Sequence, residues 1–296
     1  MKKFLRRLLI LAVMLVVIVV VVPLFVRSRM HTTPAWYPRA SADPVAQAAA
    51  ANQMDQKLIE MYRDAKQSSR ESELRALHAA SAGGPPATAP DDLVKIDLSE
   101  EEINAFLAKW EKKFGWKERI KKYIADPVIV LEDDQIVLAG TSKDWDTVVS
   151  LHFEVGIEKD GKLSVKLARA MAGTLPLPRT FFNGYLQKLL PAMDEKVSPL
   201  REEADIDASG CANGPAVSLA MAELLEHTLH DEPSEPVLFL PERVGHDSRS
   251  LPVRITGVKI ADKTLSLAFE PMTVGQREAL LQHLRGPQAT ETAMGR

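Results

Sequence analysis

Apolar residues along this chain follow three spacings, and the changes between them delimit its parts. The first spacing is continuous: Leu8 to Val26 is 19 residues without a charge. As a helix that run is roughly 28 Å long, close to the hydrocarbon thickness of a bilayer. It predicts a transmembrane signal anchor, with residues 1–29 forming a cytoplasmic stub and a membrane helix over about 8–26. A cleaved signal peptide is the competing reading, and it expects a shorter apolar region closed by a small-x-small site. Pro23-Leu24-Phe25-Val26-Arg27 supplies no such site. Lys2, Lys3, Arg6 and Arg7 precede the run, so the positive-inside rule places the amino terminus in the cytoplasm. The bulk of the chain is then extracytoplasmic or periplasmic, on a single-pass protein of the inner or plasma membrane.

The second spacing is helical. Asp43 before Pro44 is a helix start, and Met54, Leu58, Met61 and Tyr62 form a short apolar stripe in an Ala-, Gln- and Glu-rich stretch. Residues 30–80 therefore read as a juxtamembrane segment and a solvated helical stalk. Ser81 to Pro90 (SAGGPPATAP) is a linker by composition. Beyond it, Ser99 and Glu102 make a capping box, followed by Ile103, Phe106, Leu107 and Trp110 on one helical face. Phe114, Trp116, Ile120 and Tyr123 predict a second short helix.

The third spacing is two. Val128–Leu131 and Ile136–Leu138 flank a polar turn and predict a hairpin. Val149, Leu151, Phe153, Val155 and Ile157 alternate with Ser150, His152, Glu154 and Gly156, and Asp160-Gly161 turns the chain into Leu163, Val165 and Leu167. The alternation directs His152 to solvent or a neighbouring strand. Helical spacing returns over about Thr180–Leu200, where Phe181, Phe182, Tyr185, Leu186, Leu189, Leu190 and Met193 make a wide apolar face that Pro191 should divide. A loop over 201–214, a helix over Pro215–His230, a hairpin around Asp262-Lys263 and a helix over Val274–Arg285 complete the pattern. Residues 91–286 are thus predicted to be one α+β domain with a mostly antiparallel sheet, and 287–296 a disordered tail.

Charge divides the chain in the same place as hydropathy. The whole carries −3, but residues 1–29 hold six basic side chains and no acidic one. Taking those six from the 37 Lys and Arg leaves 31 against 40 Asp and Glu, a formal −9 for the remainder. That sign argues against nucleic acid as a partner, and against electrostatic capture by anionic lipid heads. One cysteine, Cys211, excludes an intramolecular disulfide or a thiolate metal cluster.

No nucleophile elbow, phosphate loop, dinucleotide fingerprint or H-E-x-x-H motif occurs. Glu223, Glu226, His227, His230 and Asp231 contain two i, i+4 acid–histidine pairs, which suit a zinc or general-base site. They equally suit histidines paired at a helix carboxyl end. The expectation is a protein without enzymatic activity, cofactor or metal. What remains is apolar surface: Val149, Leu151 and Phe153 on the sheet, with Phe181, Phe182, Tyr185 and Leu189 on the wide helix, as the lining of a groove for a lipid or other apolar ligand. The alternatives are a fully packed domain that serves as a structural or adaptor protein of an envelope complex, and a hydrolase using the Glu/His cluster.

Several strings bear on this choice. Val94 to Leu107 (VKIDLSEEEINAFL) resembles the "lteeelNall" opening of certain anchored bacterial envelope proteins, and Val128 to Gly140 resembles their following hairpin. Ala172 to Pro178 (AGTLPLP) resembles their step from sheet to helix, and Ile255–Phe269 their closing strands. Over about residues 93–285 the chain resembles the YpmS-type proteins and, more loosely, the LmeA-like and tubular lipid-binding families. The stretch before the linker and residues 201–235 are additions to that pattern. The resemblance implies a curved antiparallel sheet wrapped on helices, binding of lipid or another apolar molecule, and no catalytic residues.

Overall fold

In the computed structural model the described residues are 27–37, 43–81, 93–114, 124–178, 180, 195–243 and 249–286. The anchor run and residues 181–194 lie outside them. No helix among the described residues is long and apolar enough to cross a membrane.

Helix α1 (Pro44–Ser81) starts where Asp43 accepts the Val45 N–H at 3.0 Å. Strand β1 (Val94–Ser99) leads into α2 (Glu100–Phe114) through the predicted capping box. The Ser99 hydroxyl accepts from Glu102 N at 3.2 Å, and the Glu102 carboxylate from Ser99 N at 2.9 Å. Next come β2 (Ile124–Glu132), β3 (Gln135–Ser142), β4 (Thr147–Ile157), β5 (Leu163–Ala172) and β6 (Leu175–Leu177). A single helical turn, α3 (Leu200–Glu203), precedes α4 (Gly214–His230), whose N-cap is Asn213. The chain then forms β7 (Val237–Pro241), β8 (Ser250–Ala261), β9 (Thr264–Pro271) and α5 (Val274–Arg285), the last behind a Thr273/Gln276 capping box.

The α+β class and the antiparallel pairing hold throughout. The strands form two sheets where one was expected: β1-β9-β8-β7 and β2-β3-β4-β5-β6. The division follows from β1, which pairs with β9 in register Ile96↔Leu267 and so draws the two ends of the domain into one sheet. The Asp262-Lys263 turn between β8 and β9 has φ values of 50° and 58°, the mirror-image turn that suits the strand twist of a two-residue hairpin.

The helix expected to be a solvated stalk is instead part of the core. Met54, Met61, Tyr62 and Ala65 of α1 are buried against Ile96, Leu98, Leu240, Leu251, Val253 and Phe269, closing one face of the four-stranded sheet. Polar ties reinforce that seat. Lys57 reaches Glu102 at 2.7 Å and the Asp97 carbonyl at 2.8 Å. Arg277 of α5, itself buried, donates to Ser69 at 3.2 Å and Glu73 at 2.6 Å. Its guanidinium lies where a side chain on Gly210 (φ +80°) would stand. A second cluster, with Ala204, Ala216, Leu219, Leu280 and Leu284, packs α4 on α5.

The five-stranded sheet meets this body through contacts of β4 with β8 and of β5 with α4, and is tied to it at its edge and its turns. Asn104 of α2 uses both ends of its amide on Ile129, accepting from its N–H at 2.8 Å and donating to its carbonyl at 2.6 Å. Glu100 accepts from Leu131 N at 2.9 Å. These bonds occupy the open edge of β2 that would otherwise invite another strand. At the turns, Asp134 N donates to Ile260 O at 3.2 Å, and Leu163 exchanges backbone bonds with Ser234 at 2.8 and 2.9 Å.

Removal of α1 should therefore unfold the domain. A chain beginning at residue 91 is expected to lack cooperative unfolding in urea, and Met61→Ala in the full chain to lose about 2–5 kcal/mol. An unchanged denaturation midpoint for the shortened chain would restore the stalk reading.

Candidate functional site: an apolar sheet face

Alternation along β4 sends Val149, Leu151 and Phe153 to one face, and the register extends it across the sheet. Leu138 and Ala170 flank Leu151, Ile136 and Leu167 flank Phe153, and Ile129 lies beyond Leu138. Val149, Leu151 and Phe153 are half-buried, and Leu138 is 41% exposed. Among the described residues, both core clusters are built from the four-stranded sheet, the helices and the loop around Cys211. Among the described residues this apolar face joins neither cluster; it is buried at Leu131, Ala170 and Ala172 and most exposed at Leu138. Phe181, Phe182, Tyr185 and Leu189, the other expected lining residues, lie outside the described residues.

On the opposite face His152 is turned from solvent and lies beside Arg169 of the neighbouring β5, the second of its two expected settings. It is 2% exposed, although its strand position alternates with the apolar row. The cause is the segment 27–37, whose Trp36 ring meets the imidazole edge-on with centroids 6.1 Å apart. His152 Nε2 lies 3.2 Å from the Ser150 hydroxyl, and Nδ1 lies 3.6 Å from the Glu132 carboxylate, which also pairs with Arg169 at 3.3 Å. Hydroxyl, imidazole and carboxylate follow the order of a hydrolase relay. Ser150, however, is 1% exposed, so its oxygen is enclosed and presents no surface to a substrate. Burial, with the Arg169 charge, pushes the His152 pKa down; Glu132 opposes this without reversing it.

The Glu/His cluster on α4 resolves into pairs. Glu223 lies 3.8 Å from His227 and 2.6 Å from His283 of α5, a partner that sequence spacing could not indicate. His227 Nδ1 is 2.9 Å from the Pro233 carbonyl, and His230 Nδ1 is 3.0 Å from the Glu226 carbonyl in its own helix. Asp231 is the left-handed cap of α4. Among the described residues no group of three or more His, Cys, Asp or Glu is placed to hold a metal. The cleft beside this cluster, lined by Met221, Leu224, Phe239 and Leu284, has about 30 Å³ of space, suited to a water and too small for an acyl chain. Cys211 is buried beside the Tyr62 hydroxyl at 3.7 Å, and Lys66 donates to that hydroxyl at 2.9 Å. Burial is the largest influence on Tyr62 and raises its pKa, so the phenol stays neutral.

No family model matches the chain, and no curated protein or solved structure matches it.

His152 links stability to pH. Its folded pKa lies below the ordinary value of 6.5, so the unfolded chain binds the proton more readily. Its contribution is present above about pH 6.5 and is lost as pH falls toward the folded pKa. Wild-type stability from urea titrations should decline between pH 7 and pH 5 more steeply than that of His152→Gln. Parallel curves for the two proteins would show that His152 does not carry the slope.

Proposed function

We propose that this chain is a single-pass, amino-terminally anchored envelope protein whose extracytoplasmic α+β body binds a lipid or similar apolar ligand without enzymatic chemistry. The observation that carries this reading is the contiguous apolar face of Ile129, Ile136, Leu138, Leu151, Phe153 and Leu167, which among the described residues joins neither buried cluster and is most exposed at Leu138. An apolar chain laid along it would remove that surface from water, which is favourable by about 25 cal/mol per Å². The anchor belongs to the reading on the strength of the uncharged run Leu8–Val26 and the four basic residues before it. Phe181, Phe182, Tyr185 and Leu189 join the proposed lining on their sequence pattern alone.

Native mass spectrometry of the full chain, extracted from the membrane of cells that make it, tests the ligand. The wild type is expected to carry lipid adducts. Burying the Leu138 side chain under an acyl chain is worth about 1.5–3 kcal/mol. Leu138→Glu, a change at a half-exposed position, should therefore lower occupancy by roughly an order of magnitude while leaving the fold intact. Preparations free of lipid, with one protein partner recovered in fixed ratio, would favour an adaptor role instead.

A further inference from the structure

Five hydrogen-bond contacts between segment 27–37 and the rest of the described residues fall at one end of the five-stranded sheet. That end comprises the start of β2, the β3–β4 turn and the β5–β6 turn. Arg29 O accepts from Thr174 N at 3.1 Å and from the Thr174 hydroxyl at 3.2 Å. Met30 O accepts from the Thr147 hydroxyl. His31 Nδ1 lies 2.9 Å from Asp146 O, and the Tyr37 hydroxyl donates to Asp126 O at 2.7 Å. Gly173 (φ +58°) completes the clasp, because a Cβ there would collide with the Met30 carbonyl oxygen.

Arg27 directly follows the 19-residue apolar run, so no spacer separates that run from the clasp. At most roughly 3.6 Å of chain per residue is available. Thr174 and Thr147 can therefore stand only about 10–15 Å from where residue 26 ends. We propose that this end of the sheet, with Lys143–Asp146 and Gly173–Thr174 outermost, rests on the headgroup surface of the bilayer that residues 8–26 span. The inference rests on the anchor reading given above and deepens the proposed lipid binding. Val149, Leu151 and Phe153 then begin beside the headgroups and rise from the bilayer at about 3.4 Å per residue, roughly 20 Å over β4 from Thr147 to Phe153. A lipid would reach the apolar face directly from the membrane.

The test uses the full chain in phosphatidylcholine vesicles, with Cys211→Ser and a single spin label at Lys143→Cys, at Asp144→Cys or, at the far end of the sheet, at Asp160→Cys. A nickel-chelating lipid serves as the headgroup relaxant, and aqueous nickel chelate as the solvent probe. The labels at 143 and 144 are expected to relax several-fold faster with the nickel lipid than the label at 160. Gly173→Val, which breaks the clasp, should reduce that contrast. Equal, weak relaxation at both ends in a chain that stays with the vesicles through a carbonate wash would overturn the docking and spare the anchor. Labels at 143 and 144 shielded from both probes would mean that protein covers this end, and would equally overturn it. Loss of the chain in the carbonate wash would overturn both the anchor and the docking.

Discussion

The stripe of α1 across the four-stranded sheet is the interaction on which the rest of the structure depends. That sheet joins β1 to β9, elements from opposite ends of the domain, and Met54, Met61, Tyr62 and Ala65 cover its joined face. Two further regions are fixed by the same helix. The loop around Cys211 packs on Tyr62, and α5 is tied through Arg277 to Ser69 and Glu73. Lys57 extends the contact to the start of α2, and α2 carries the Asn104 amide that occupies the edge of β2. Taking away α1 would uncover the apolar face of the four-stranded sheet and deprive Arg277 of Ser69 and Glu73.

With the core concentrated there, the five-stranded sheet has a different character. It is attached through the edge of β2, its turns and contacts of β4 with β8 and of β5 with α4, and its enclosed face carries Val130, Val137, Ala139 and Val148 beside two polar side chains. Ser150 and His152 lie enclosed, with Trp36 of the segment 27–37 against His152, whereas on the other face Val149, Leu151 and Phe153 are half-buried and Leu138 is exposed. A half-open apolar face has a standing cost in water, and an apolar ligand or surface relieves it. That asymmetry, together with a clasp that leaves no free linker after residue 26, links the sheet to the proposed membrane role.

Legibility followed the range of the interaction. The hairpins of β2–β3, β4–β5 and β8–β9 were readable because alternation and turn residues sit side by side in the sequence. Strands β1 and β7 are not legible locally, since six residues of alternation and a short apolar run ending in Pro241 carry little information without their distant partners. The stripe Met54, Leu58, Met61 and Tyr62 was visible, but its burial was not, because the surrounding Ala, Gln and charged residues suit a solvated helix equally well. An Asn inside the amphipathic pattern of α2 was the available signal for Asn104, since such a side chain usually bonds backbone rather than continuing a helix face. Periodicity leaves His152 a choice between solvent and a neighbouring strand, and cannot show its cover, because Trp36 lies far upstream. The pairing of Glu223 with His283 likewise joins two helices that no spacing rule connects.

The central claim is that the open face of the five-stranded sheet holds lipid. The most direct measurement places a photo-reactive amino acid at Leu138 in the full chain, in vesicles that contain radiolabelled phospholipid. Lipid adducts at Leu138, well above those formed from Glu154 on the opposite face, are the predicted result. Adducts to protein alone, or lipid labelling equal at the two positions, would contradict it.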